Sequence, residues 1–158
     1  MRLRQYAYFG FTSQNVIAST ITGRLGIEPD RILVRGSRTS SPPVPRFHTW
    51  RVTCPEPGLR VDQQIAKVIE RVRPRQNEVE LLSRDLLAEG PRCGASIGVV
   101  RHFEDDEGEE EVIRDGEVDG LRLESLPGQH QLLGWHLDAE ILAFLVAIGA
   151  ELDVDEYG

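Results

Sequence analysis

Residues 5–12 alternate strictly: Ala7, Phe9 and Phe11 fall on one side, Tyr6 and Tyr8 on the other. A period of two over this length predicts a half-buried strand. Asn15 then stands before Val16, Ile17, Ile21 and Leu25, a helical spacing that predicts an Asn15-capped helix ended by Gly26. Residues 31–35 predict a short strand, and residues 36–46, with Gly36, three serines and three prolines, a loop. Thr49 to Cys54 alternates again, with Trp50, Val52 and Cys54 sharing one face and Thr49, Arg51 and Thr53 the other. Val61, Ile65, Val68, Ile69 and Val72 form one helical stripe that Pro74 stops, and Val79, Leu82 and Leu86 mark a second helix over 76–88.

Beyond these, Ala95, Ile97 and Val99 alternate in a strand reaching Phe103. Val112-Ile113 and Leu121 to Leu123 flank Asp115-Gly116 as an exposed hairpin. Residues 131–137 predict a strand with Leu133, Trp135 and Leu137 inward. Asp138 caps a helix running to Gly149, and Leu152 to Asp155 predicts a closing strand. The stretch Asn15 to Asp30 echoes Asp138 to Asp153: cap, amphipathic helix, glycine, an apolar residue, Glu, any residue, Asp. Alternating strands mixed with amphipathic helices predict an α+β two-layer sandwich. Its sheet is mainly antiparallel with helices on one face, and a ferredoxin-like arrangement with duplicated halves is the first expectation.

A chain of 158 residues with 40% hydrophobic and 28% charged positions suits one soluble domain, 1–158. No apolar run approaches the roughly 18 residues of a membrane span, and no apolar segment follows Met1-Arg2-Leu3-Arg4 as a secretion signal would require. Cys54 and Cys93 are too few and too far apart for a disulfide framework or a zinc knuckle, so a cytoplasmic location is expected. The charge is unevenly spread. Residues 1–102 carry 16 Lys and Arg against 9 Asp and Glu, a net of +7; residues 103–158 carry 2 against 17, a net of −15. The stretch 104–120 is read as an acidic loop or exposed hairpin within the domain.

Several landmarks run together: Leu25-Gly26-Ile27-Glu28-Pro29, Gly36, Trp50 opening a strand, Pro74 after a helix, then Ile148-Gly149-Ala150-Glu151-Leu152-Asp153-Val154-Asp155 and Tyr157. In these the chain resembles the bacterial family known as domain of unknown function 4279, roughly from Tyr6 to Tyr157. The resemblance implies a small stand-alone soluble bacterial domain and supplies no catalytic residues. The acidic insert at 104–120 is longer than such proteins usually carry.

The chemistry-bearing candidates each have a plainer reading. Asp115, Glu117 and Asp119 before Gly120 imitate the start of an EF-hand loop, but Leu126 stands where the bidentate Glu belongs. His48, His102, His130 and His136 lack zinc spacing, so no metal and no cofactor are read. Cys54 shares its strand face with Trp50 and reads as buried; Cys93 reads as exposed but nothing activates it. Arg31, Arg35, Arg38, Arg46 and Arg51 beside Phe47, His48 and Trp50 have the composition of a phosphate or single-strand nucleic-acid surface. The net charge of −8 and the inward parity of Trp50 argue against a nucleic-acid partner.

The second face of the sheet is the candidate that remains. If helices cover Phe9, Trp50 and Ile97, the other face carries Tyr6, Tyr8, Thr49, Arg51, Thr53, Val100 and His102, with Asp153 and Asp155 at its edge. An open, half-apolar sheet face pairs with something or is simply solvated. The expected function is therefore a non-enzymatic interaction domain whose binding residues are Tyr6, Tyr8, Arg51 and His102, facing a second copy as a homodimer or a protein partner. The alternative is a small-molecule or phosphate-binding enzyme using Arg35, Arg38 and His102.

Overall fold

A computed structural model describes residues 2–39, 44–104, 117–118, 121–122 and 133–158. The chain runs β1 (Arg2–Ser13), α1 (Ala18–Leu25), β2 (Arg31–Leu33), β3 (His48–Cys54), α2 (Val61–Val72), a 3-10 turn (Arg73–Arg75) and α3 (Gln76–Leu87). It continues through β4 (Gly94–Glu104), β5 (Glu117–Val118), β6 (Leu121–Arg122), α4 (Ala139–Ala147) and β7 (Glu151–Tyr157). Five strands form one sheet in the order β2-β3-β1-β4-β7. All neighbours are antiparallel except β4 and β7, which are parallel. The order β2-β3-β1-β4 with one helical crossover in each half is the ferredoxin-like pattern, and α4 and β7 extend it by one strand. The class is α+β.

Alternation along β1 sets the two faces. Ala7, Phe9 and Phe11 turn inward with Trp50, Val52 and Cys54 of β3 and Ala95, Ile97 and Val99 of β4, all at most 5% exposed. The stripe Val61, Ile65, Val68, Ile69 and Val72 of α2 lies on them, joined by Val79, Leu82 and Leu86 of α3, Ile21 and Leu25 of α1, and Ile141, Phe144 and Leu145 of α4 in one core. The indole N–H of Trp50, in a fully buried ring, donates to Thr22 Oγ1 at 3.0 Å, so its polar atom is not stranded. Buried Gln64 donates to the carbonyls of Gln5 and Glu56, tying α2 to β1 and to the turn after β3.

The echo between 15–30 and 138–153 takes structural form. Gly26 and Gly149 both adopt the left-handed conformation, at φ 66° and 62°. Each ends a helix and returns the chain to an edge strand of the main sheet, β2 running parallel to β1 and β7 parallel to β4.

Several expectations are corrected. Asn15 does not cap α1; Ile17 holds that position. The entry turn is instead held by Ser13 Oγ, which accepts from Val16 N at 2.7 Å, and by Glu89, whose Oε2 accepts from Ser13 Oγ and Gln14 N. Residues 134–138 form no strand: Trp135 and Leu137 pack on the core without joining a ladder. The strand predicted over 31–35 ends at Leu33. Cys93 is buried at 4% exposure. The small hairpin pairs Val118 with Leu121 and Glu117 with Arg122, while Val112, Ile113 and Leu123 of the expected hairpin lie outside the described residues. The rest of the acidic stretch, with the EF-hand-like residues Asp115 and Asp119, lies outside the described residues, as does His130.

Because Trp50 fills the centre of the core, Trp50→Ala is expected to cost about 3–5 kcal/mol. Urea unfolding followed by circular dichroism measures it; a variant with the parent's midpoint would show that the indole is dispensable.

Candidate functional site

The sheet face away from the helices is organised by register. One row across the strands holds Thr53, Tyr8, Gly98 and Asp153; the next holds Arg51, Gly10, Ser96 and Glu151. On the other side come Tyr6, Val100 and Asp155, then Arg4, His102 and Tyr157. The structure thus brings Tyr6, Tyr8, Arg51 and His102 onto one face, with Thr49, Thr53, Val100, Asp153 and Asp155. Parity in β7 adds Glu151 and Tyr157, since Leu152, Val154 and Glu156 point to the helix side, where Glu156 pairs with buried Arg101 at 2.8 Å.

At its centre the face is paved by one ring. Tyr8 lies flat across β4, so closely that a Cβ on Gly98 would stand 2.1 Å from Tyr8 Cζ. The Arg51 guanidinium covers the ring at 4.1 Å from its centroid. Gly10 makes room for this arm: a Cβ there would meet Arg51 Cγ at 2.9 Å and the Trp50 carbonyl at 3.0 Å. Tyr8 is only 8% exposed as a result. It is a platform rather than an accessible anchor, covered on its outer side by the guanidinium it supports. Among the described residues Arg51 makes no ion pair.

Burial pushes the Tyr8 phenol above its ordinary value of 10.0. Arg51 opposes this, while Asp153, Asp155 and Tyr6 add to it. That the two aspartates are felt at Tyr8 places negative charge on the β7 side of the ring. Arg51 lies three strand spacings from β7, about 14 Å. The face is therefore positive at β3 and negative at β7, with aromatic residues between them and the Arg4–Glu104 ion pair at the far end of β1 and β4. Towards the far end Tyr6 sits 6.5 Å from the Tyr8 ring, and His102 stacks on Tyr157 at 4.8 Å with 14° between the planes.

The Arg35, Arg38 and His102 set is not assembled. Arg35 lies beyond β2, where its backbone N–H donates to His48 Nδ1 and its Nη1 donates to the Gln14 carbonyl. His48 pairs with Ser13 at one end of β1, and His102 pairs with Arg4 at the other. The nine residue steps from Arg4 to Ser13 span about 30 Å of strand.

Other chemistry is occupied or inert. A shallow groove beside the end of β3 is lined by Asp30, Thr53, Glu56, Lys67 and Arg71. Most of its charges are already paired, Arg71 with Asp30 and Lys67 with Glu56, and Asp30 also accepts from Thr53 N. The Cys93 thiol is pushed up by burial, the reverse of what activates a nucleophile. Among the described residues no three His, Cys, Asp or Glu side chains gather as metal ligands. What the open face can do is pair charges across an interface: a flat, stacked arginine suits a carboxylate, and the β7 carboxylates suit a cation. The glycine floor went unread in the sequence. Its signal was there in Gly10 and Gly98, isolated glycines inside otherwise well-formed strands, which mark a close approach.

A family model described as a domain of unknown function, DUF4279, matches residues 3–158. No curated protein and no solved structure matches the chain.

The phenol geometry has a direct readout. Ultraviolet titration of the three tyrosines should show a phase above pH 10 that Tyr8→Phe removes. Because the folded state holds this proton more tightly than the unfolded one, Tyr8 lowers stability as pH rises past about 10. Gly98→Ala should displace the ring and move this phase towards the ordinary range. If the phase is identical in Gly98→Ala, the ring does not lie on Gly98.

Proposed function

The chain belongs to the DUF4279 family, and we propose that it is a non-enzymatic interaction domain whose open sheet face recognises a protein surface. The observation that supports this most is the Arg51–Tyr8–Gly98 stack. Gly10 and Gly98, two positions where a side chain would collide, are kept empty so that a guanidinium is held rigid and outward. A stacked arginine loses little side-chain entropy on binding, which makes it a good contact residue. Tyr6, His102 and Tyr157 extend the surface with aromatic area. No described helix is long and apolar enough to cross a membrane, and both cysteines are unpaired and buried, which supports the cytoplasm as the compartment.

The test uses a photo-crosslinking residue at Thr53 or Ser96 on the face, with Gln63 on the exposed side of α2 as control, in cells that make the protein. Discrete crosslinked species from the face positions and none from Gln63 are expected. Equal crosslinking from all three would mean that the face is ordinary surface. A thermal-shift panel of nucleotides, sugar phosphates and metal ions on the purified chain is expected to give no shift. A rise of several degrees with one phosphate compound, lost in Arg35→Ala/Arg38→Ala, would instead place function at the β2–β3 loop.

A further inference from the structure

We infer that the surface recognised by this face is the same face of a second copy, joined by a two-fold axis that runs parallel to the strands between β1 and β4. The inference rests on the reading of the open face as a contact surface. It follows from where the charges stand. From β3 to β7 the face reads arginine, aromatic centre, carboxylates, so β3 and β7 lie equally far from the line between β1 and β4. A two-fold axis along that line, above the face, sets β3 of each copy over β7 of the other and β1 over β4. It leaves positions along the strands unchanged, so residues of one row face residues of the same row. Arg51 and Glu151 share a row. Arg51 of each copy therefore meets Glu151 of the other, with Asp153 one step along β7.

Each half of this contact is made twice, as an isologous interface requires. The usual rotation of about 30° between packed sheets brings Asp153 within reach of the same arginine. The Tyr8 ring, extended from β1 over Gly98 of β4, lies beside the axis. No other arrangement of two faces does this: an axis across the strands sets β3 on β3 and puts the two Arg51 side chains on the same strand line, and β7 likewise opposes β7. A partner of unrelated sequence would need to reproduce the mirror order of charges that the second copy carries by symmetry.

Sedimentation equilibrium of the purified chain tests the arrangement. The parent should be dimeric at roughly 100 µM or below. Arg51→Glu alone, and Glu151→Arg/Asp153→Arg alone, should each dimerise about 30-fold more weakly or worse. The chain carrying all three changes should recover the dimer, and so should an equimolar mixture of the two weakened variants, since each then supplies the other's missing sign. Near-ultraviolet circular dichroism checks that each variant is folded, and recovery in the mixture keeps the result decisive where one is less stable. A parent that is monomeric throughout overturns the inference, as does an Arg51→Glu variant that dimerises like the parent, or a triple variant and a mixture that both stay monomeric. A monomeric parent whose face positions still crosslink to a different protein would overturn only the second copy and leave the recognition surface standing.

Discussion

The structure hangs on the position of β1. It is the middle strand of five and pairs on both sides, through Ala7–Ser13 with β3 and Arg2–Thr12 with β4. Its alternation therefore fixes the parity of its neighbours as well as its own. A slip of one residue would turn Phe9 and Phe11 to water and Tyr6 and Tyr8 into the core. Burying an aromatic side chain is worth about 1.5–3 kcal/mol, so the wrong register loses several such terms at once. No surface interaction among the described residues approaches that. The exposed pair of Arg4 with Glu104 at the strand ends is of the kind that contributes about 0–1 kcal/mol. The hydrophobic face decides the register, and the composition of the open face follows from it.

That dependence explains why Arg51 and Tyr8 are best seen as a surface feature and not as a structural fastener. A cation over an aromatic ring is worth about 0.5–2 kcal/mol. Gly10 and Gly98 each give up β propensity in the interior of a strand to allow it. Stability alone would be better served by side chains at both positions. Trading strand propensity for a rigid, outward guanidinium is the sort of local conflict that concentrates at sites of function.

Much of this was legible in the sequence because it rests on periodicity. The inward sets of β1, β3 and β4, the stripe of α2, the left-handed glycines after α1 and α4, and the division of Tyr8 and Arg51 from Phe9 and Trp50 all follow from counting positions. What was not legible depends on contacts distant in the chain. Asn15 has the right chemistry for a helix cap, but Glu89, 74 residues away, satisfies the turn with a stronger acceptor and shifts the helix start. Trp135 and Leu137 alternate like a strand, yet alternation needs only one buried side, and a segment can lay both residues on a core without finding a ladder partner. Tyr8 looked like an exposed contact residue because parity places a side chain on a face without saying whether a neighbour lies over it. The two glycines became informative only once pairing showed which ring and which arm they admit.

The charge asymmetry of the chain has a spatial counterpart that the net charge of −8 conceals. The closing strand, with Glu151, Asp153, Asp155 and Glu156, lies at one edge of the sheet, while the Arg-bearing strands β2 and β3 occupy the other. Had like charges sat at the middle of the open face, any approach of two copies would bring them together. Separated to left and right of an uncharged centre, the same charges attract under one two-fold operation and repel under others. Coulomb energy between such groups grows as water leaves the space between them, from about 1 kcal/mol at 4 Å in bulk water to about 4 kcal/mol at an effective dielectric of 20. In the proposed contact of two copies, the aromatic area of Tyr6 and the Tyr8 platform would exclude that water. In the proposed contact, apolar centre and charged flanks would act jointly: the first would give the contact its strength, and the second would fix the single orientation in which that strength is available.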